Sequence, residues 1–272
     1  MKEFQKEITH ANYAPIAVAH ELNTETLTLL SERKIGAIHV KGFYPKDIAG
    51  QVSLKAIDHP KLGYYNKKYT SSVGRICMPH IDSEWNKEAA RKYHGEAVEN
   101  IHDIRSLFSP YATPIDQIRL LLQEYWPGGA NIQNLYGHKC FVGAIRVFKP
   151  SVSKFYPHHD RIDEESDAPE LNGMKEQVVA NVYLQAPEKG GDLQLWLRDP
   201  TEKEKILIRD VEGLLPESVE PPALVIHPKQ GDLIIFSSRM LHAVTPSEDS
   251  YRVGMAAFIA CYGLDRPMGY WS

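Results

Sequence analysis

The sequence predicts a mainly β, α+β fold: flanking helices ahead of a barrel or double-sheet jelly-roll core. Three observations predict it. Short apolar segments follow one another through the second half, separated by turn residues. The first half carries apolar residues at helical spacing. Composition is that of a globular chain, 43% hydrophobic, 24% charged and 10% aromatic. At 272 residues there is enough chain for one core with an added helical layer. We therefore expect a single domain over 1–272, with 1–135 as a mainly helical flanking region and 136–272 as the jelly-roll core.

The elements follow in order. Thr24 to Lys34 places leucines on one helical face. Gly36 to Phe43 alternates like a short strand. Pro45 suits a first helical turn and opens a helix to about Asp58. A longer helical stretch covers Glu84 to Phe108. Thr113 to Trp126 is the clearest helix, with Pro114 near its start and Pro127-Gly128-Gly129 ending it. Candidate strands then run over Cys140–Phe148, Gln177–Gln185, Asp192–Leu197, Ile206–Arg209, Ala223–His227, Asp232–Ser237 and Tyr251–Tyr262. Polar Asp163 to Lys175 reads as a loop at the strand mouth.

Net charge is −4 and the isoelectric point is near 6.3. With no run of five like charges, nothing favours a nucleic-acid or anionic-membrane partner. Cys77, Cys140 and Cys261 are widely spaced and form no disulfide framework, as in a reducing compartment. Met1 to His10 lacks an apolar signal core, and no uninterrupted apolar stretch reaches the roughly 18 residues of a membrane span. A cytoplasmic protein acting on a small molecule is expected; a homodimer is left open.

Phe155-Tyr156-Pro157-His158-His159-Asp160 carries the chemistry. Alternate side chains of a strand share a face, so His158 and Asp160 point together and His159 points away. An imidazole and a carboxylate at this spacing supply two-thirds of the 2-His-1-carboxylate triad that suits non-haem Fe(II) oxygen chemistry. His242, after the strand-like Gly231-Asp232-Leu233-Ile234-Ile235-Phe236, is the best third ligand. Three ligands on one face leave room for a bidentate keto acid and O2. Arg252 shares a strand face with Gly254, Ala256 and Phe258. Its guanidinium offers a bidentate seat for the distal carboxylate of 2-oxoglutarate, and Gly254 would leave space for the ligand body.

A second H-x-D, His80-Ile81-Asp82, lies in the helix-rich half without a strand-borne His and Arg to follow, and reads as a loop or cap. Asn181 and Tyr183 share an inward face with Gln185. Either hydrogen-bonds the cosubstrate or another ligand, or the face is a satisfied structural layer. Arg75, Arg146 and Arg161 are candidates for an acidic group of the substrate; each also reads as a structural arginine. Tyr64, Tyr65, Tyr69 and Trp271 are candidates for an apolar pocket wall or for ordinary core. His138, His159 and His227 are not expected to be ligands.

From Phe141 to Gly263 the chain resembles the Fe(II)/2-oxoglutarate-dependent oxygenase superfamily. The likeness rests on a strand ending at Pro150, the H-x-D of His158 and Asp160, G-D-L-I-I-F followed by H-x-V-x-P from His242, and then Arg252. The resemblance implies a double-stranded β-helix of cupin-like, jelly-roll type. It also implies iron ligation by His158, Asp160 and His242, and 2-oxoglutarate at Arg252. Lys34–Asp47, Ile118–Leu122 and Ile145–Pro150 look like the free-standing small-molecule oxygenases, which include N-succinyl amino-acid hydroxylases and carrier-independent alkaloid halogenases. The halogenases carry Gly where this chain has Asp160, so the resemblance implies hydroxylation, with an amino acid or amino-acid derivative as substrate. Desaturation or cyclisation of a natural-product intermediate is the alternative outcome. A non-catalytic jelly-roll metabolite-binding module and a Zn or Ni enzyme of cupin-like fold are the competing classes. The triad with Arg252 argues against the former; Arg252 has no clear role in the latter.

Overall fold

The computed structural model describes residues 15, 17–65, 72–83, 86–152, 155–211 and 213–272. Tyr69, Glu84 and the segment 1–10 lie outside them. Among the described residues the helices are α1 (Thr24–Ser31), α2 (Lys46–Ile57), α3 (His80–Ser83), α4 (Lys87–Gly95), α5 (Ala97–Phe108), α6 (Pro114–Tyr125), α7 (Ile162–Glu165) and α8 (Glu202–Val211). The strands are β1 (Val18–Ala19), β2 (Ala37–Val40), β3 (Gly63–Tyr64), β4 (Val73–Ile76), β5 (Ala130–Ile132), β6 (Asn134–Leu135), β7 (His138–Lys139), β8 (Ala144–Phe148), β9 (Phe155–His158), β10 (Glu176–Gln185), β11 (Leu193–Leu195), β12 (Leu224–Ile226), β13 (Leu233–Ser237), β14 (His242–Val244), β15 (Arg252–Cys261) and β16 (Met268–Trp271).

Two sheets form the core. The larger runs β1-β2-β13-β10-β15-β8-β4-β3, with β16 and β5 attached beside β15; the smaller runs β12-β11-β14-β9. The period-2 alternation of β10 explains how one strand serves two environments. Val178, Ala180, Val182 and Leu184 turn outward and pack with Leu27 and Leu30 of α1, Val52 of α2, Ile104 of α5 and Ile115 and Ile118 of α6. Val179 and Tyr183 turn the other way, onto Leu193, Leu195 and Ile226 of the smaller sheet. Each such aliphatic side chain removed from water contributes roughly 1.5–3 kcal/mol, so the helical layer is fixed to the sheet by burial.

Several expectations are corrected. Ile206–Arg209 is not a strand but the second half of α8. Thr201 and Glu204 exchange reciprocal hydrogen bonds at its start (Thr201 N–H to Glu204 at 2.6 Å, Glu204 N–H to Thr201 Oγ1 at 3.3 Å), and Lys205 pairs with Glu202 at 2.8 Å. These local bonds override the β-branched Ile206 and Ile208. The stretch ending at Phe108 is two helices, α4 and α5, meeting at Glu96. The segment 163–175 contains a short helix and a 3-10 turn (Pro169–Leu171). Pro45 caps α2 from outside. β2 falls within the strand expected at Gly36–Phe43 and extends the large sheet beyond β13; β4 was not expected and extends it beyond β8. Isolated, a four-residue strand such as β4 carries little signal; the waiting sheet edge defines it.

Candidate metal centre

β9 is the outer strand of the small sheet, and Pro157 sits where its pairing with β14 slips register. Proline cannot donate to a ladder, so it belongs at such a bulge. The slip leaves His158 directly opposite His242 on β14, with ring centroids 4.3 Å apart. Asp160 lies just past the end of β9. Its N–H donates to the Ser238 carbonyl at 2.8 Å, and its own carbonyl accepts from Gln177 Nε2 at 3.1 Å and Ser238 Oγ at 3.2 Å. The carboxylate stands 3.4 Å from His242 Nε2 and 3.8 Å from His158 Nε2. One ligand atom from each of His158, Asp160 and His242 lies within 4.8 Å of the others.

The tautomers follow from the neighbours. His158 Nδ1 lies 2.6 Å from the Tyr156 carbonyl, and His242 Nδ1 lies 2.9 Å from the Met240 carbonyl. A carbonyl only accepts, so each Nδ1 carries the proton and each Nε2 presents a lone pair. Two lone pairs and a carboxylate then face one another with no proton between them. A cation among them turns that repulsion into coordination, and the donated Nδ1–H bonds orient the rings as in other imidazole metal sites. Burial lowers the His158 pKa to about 4, reinforced by the facing His242. In the acid range where the His158 and His242 imidazoles carry charge, they outweigh the burial that acts to raise Asp160 and hold its carboxyl below the usual range. The residues present therefore fit a divalent ion, and an N, O, N set with three open positions suits Fe(II).

The trio opens onto a cavity of about 740 Å³, lined from both sheets and from α7 and α8. That volume falls within the usual range for small-molecule sites. Arg252 reaches it from β15, only 7% exposed, its Cζ 4.5 Å from the Phe148 ring centroid and 5.1 Å from that of Tyr183. Among the described residues neither its Nε and Nη1 nor the Tyr183 hydroxyl has a hydrogen-bond partner outside the pair. A buried guanidinium without a counter-ion is costly, so this geometry is built for an incoming anion. Asn181 also lines the cavity. Gly254 does so too, but a Cβ there would stand 3.1 Å from the Val182 carbonyl. The close approach of β10 thus favours glycine independently of any ligand.

Residues 145–260 match the model of the 2OG-Fe(II) oxygenase superfamily. Over that core the chain is similar to the 2OG-Fe(II) oxygenases. An L-isoleucine 3(1)-dioxygenase from Pantoea ananatis (strain AJ13355) is 26% identical to this chain over 152 residues, 53% of this chain and 50% of the relative. An L-gamma-glutamyl-L-propargylglycine hydroxylase from Streptantibioticus cattleyicolor is 26% identical over 132 residues, 45% of this chain and 46% of the relative. Each match thus spans about half the length of the curated relative. The solved structure of an N-substituted L-amino acid dioxygenase from Burkholderia ambifaria AMMD superposes with a TM-score of 0.59 at 15% identity, over 92% of this chain and 91% of that one. At that identity the likeness establishes the fold, a double-stranded β-helix.

The remaining candidates separate in the structure. Arg75 is not on the cavity wall; Asp82 holds its Nε at 2.7 Å. The second H-x-D thus forms a short helix whose acid neutralises an arginine. Arg161 lines the cavity but is bound to Asp163 at 2.6 Å and Glu164 at 3.2 Å. Arg146 lines it with its Nε unpartnered. Tyr65 and Trp271 are on the wall; Tyr64 is off it and exposed, beside Lys149. His159 reaches towards Glu164 at 3.7 Å and His227 bonds Asp192 at 2.7 Å. His138 lies beside His94 at the surface, the ring centroids 5.6 Å apart and the planes tilted. Sequence reasoning missed Gln177 and Ser238, which hold the Asp160 backbone. Gln177 shares the inward face of β10 with Asn181 and Tyr183, so the same alternation could have found it.

Proposed function

We propose that this chain is an Fe(II)- and 2-oxoglutarate-dependent dioxygenase that hydroxylates an unactivated C–H bond of a small molecule, an amino acid or amino-acid derivative. The observation that carries the reading is the meeting of His158 Nε2, His242 Nε2 and the Asp160 carboxylate in a cavity whose far wall holds an unpaired Arg252. In this reading His158, Asp160 and His242 hold Fe(II), and Arg252 with Tyr183 seats the distal carboxylate of 2-oxoglutarate. Asn181 is a further donor to the cosubstrate.

The bound iron and cosubstrate supply the oxidation: O2 and 2-oxoglutarate yield succinate and CO2, and the second oxygen atom enters the substrate C–H bond. The chain's own contribution is position. The Tyr156 and Met240 carbonyls fix the imidazoles, Ser238 and Gln177 fix Asp160, and the arginine aligns the keto acid. Phe148, Phe155, Val179 and Phe236 surround the trio with apolar wall and limit water. Substrate placement against that wall selects the carbon.

The test begins without oxygen. Fe(II) added to the protein is expected to develop a visible absorption band that depends on 2-oxoglutarate, and His242→Ala is expected to lack it. A succinate-release screen over free and N-acylated amino acids, read by mass spectrometry for one added oxygen atom, then identifies the substrate. If the intact protein gives no 2-oxoglutarate-dependent band, the reading fails.

A further inference from the structure

Two arginine–tyrosine pairs face the same cavity, and the reading above uses only one. The first is Arg252 with Tyr183. The second is Arg146 with Tyr65. Both of these residues line the cavity, Tyr65 is 7% exposed, and among the described residues neither the Arg146 Nε–H nor the Tyr65 hydroxyl has a hydrogen-bond partner outside the pair. Tyr65 lies within electrostatic reach of Arg146: burial pushes its hydroxyl pKa up, while the guanidinium charge acts in the opposite direction.

The other cations around Arg146 are occupied. Arg75, its register partner on β4, is neutralised by Asp82. On the cavity wall Arg161 is taken by Asp163 and Glu164, and Lys205 by Glu202 and Glu164. Among the described residues no carboxylate comes within ion-pair distance of Arg146. Its guanidinium stacks instead on Phe258, with Cζ 5.8 Å from the ring centroid, and Phe258 stacks on Trp271 at 5.7 Å. Arg252 rests on a different ring, Phe148. Two partly desolvated guanidiniums in one cavity repel each other and stand ready for separate anions. One 2-oxoglutarate, chelating at one end and seated on Arg252 at the other, leaves the second pair unsatisfied.

We propose that Arg146 and Tyr65 form a second anion seat, which receives a carboxylate of the prime substrate while its aliphatic part lies against Phe258 and Trp271. The proposal rests on the oxygenase reading and narrows it. The substrate would be an amino acid or N-acyl amino acid with a free carboxylate, and its amide would be a poor ligand.

The test is calorimetric titration of the anaerobic protein loaded with Fe(II) and 2-oxoglutarate. The probes are L-isoleucine and N-acetyl-L-isoleucine, each beside its carboxamide. A hydrogen-bonded charge contributes about 1.5–3 kcal/mol, so at least one acid is expected to bind about tenfold or more tighter than its amide. Arg146→Gln is expected to abolish that preference. Tyr65→Phe, which keeps the ring, is expected to weaken acid binding several-fold and leave amide binding unchanged. In both variants the 2-oxoglutarate-dependent band should titrate as in the parent. The proposal is overturned if the acid preference survives Arg146→Gln and Tyr65→Phe, or if neither acid outbinds its amide in the parent protein. It is equally overturned if the variants weaken 2-oxoglutarate instead, which would assign both pairs to the cosubstrate. Absence of the band from the parent protein is a different result and sinks the oxygenase reading itself.

Discussion

Arg252 shows how a single side chain can serve function at the expense of stability. Its guanidinium is buried with two nitrogens unpartnered, and burial lowers its pKa from the ordinary arginine value. Without an anion it is a desolvated charge; with one, it becomes half of a charge-assisted pair. Replacement by methionine keeps the packing on Phe148 and Tyr183 and removes the charge. Arg252→Met is therefore expected to raise the melting temperature of the ligand-free protein. The same change should weaken 2-oxoglutarate by roughly 30-fold or more, since breaking a buried charge pair costs about 2–5 kcal/mol. Thermal melts with and without 2-oxoglutarate check both signs together. A variant that binds 2-oxoglutarate normally would remove Arg252 from the seat. Arg252→Lys keeps charge but loses the planar fork, and should fall between the two.

At the scale of elements, the trio depends on an edge strand being held still. Among the described residues β9 pairs with one strand, β14, and is interrupted by Pro157, so loop contacts supply the rest. The Leu214 N–H donates to the Pro157 carbonyl at 2.8 Å. Gly213, just before it, adopts φ +142°, and a Cβ there would stand 2.7 Å from the Tyr156 Cβ. Gly213→Ala would therefore strain the loop by about 1–3 kcal/mol and push on the strand that aims His158. We expect it to lower metal affinity more than 2-oxoglutarate affinity, because Arg252 lies on the other sheet. Competition titration with Co(II) checks this; unchanged Co(II) affinity would show that the loop does not hold the centre. The same elements show what was legible in advance. His158 and Asp160 share an aim, as alternation predicts, although Asp160 lies just past the end of β9 and is held there by Ser238 and Gln177; His242 and Arg252 follow strong strand patterns. α8 was not legible from Ile206–Arg209, because its signal lies upstream at Thr201 and Glu204. Arg146 and Tyr65 were each legible as candidates, one for an acidic substrate group and the other for a pocket wall, but their pairing was not, since β4, which flanks Arg146 in the sheet, has no pattern of its own. Nor does any local feature of the sequence reveal that Asp82 spends Arg75.

At the scale of the whole molecule, the helical layer does more than cover the large sheet. α3 and α4 bring His80 and Tyr93 against the last residues of the chain: the His80 N–H donates to the Ser272 carbonyl at 2.9 Å and the Tyr93 hydroxyl to the same oxygen at 3.0 Å. The His80 ring is 7% exposed and meets Tyr93 edge-on at 5.5 Å. Burial, with a smaller contribution from His94, lowers its pKa from 6.5 to about 4. The unfolded chain takes up this proton near 6.5 and the folded chain only near 4, so between those values the unfolded state holds more protons. Stability from this group is therefore complete above about pH 6.5 and falls as pH drops towards 4, by up to about 3 kcal/mol. His158 bends the curve in the same direction, so the two must be separated by substitution. His80→Gln keeps a polar side chain without the titration. Urea unfolding of the metal-free protein at about pH 7, 5.5 and 4.5 is expected to show a shallower acid loss in His80→Gln than in the parent. Parallel curves would mean that His80 gains its proton without opening the contact between the helical layer and β16.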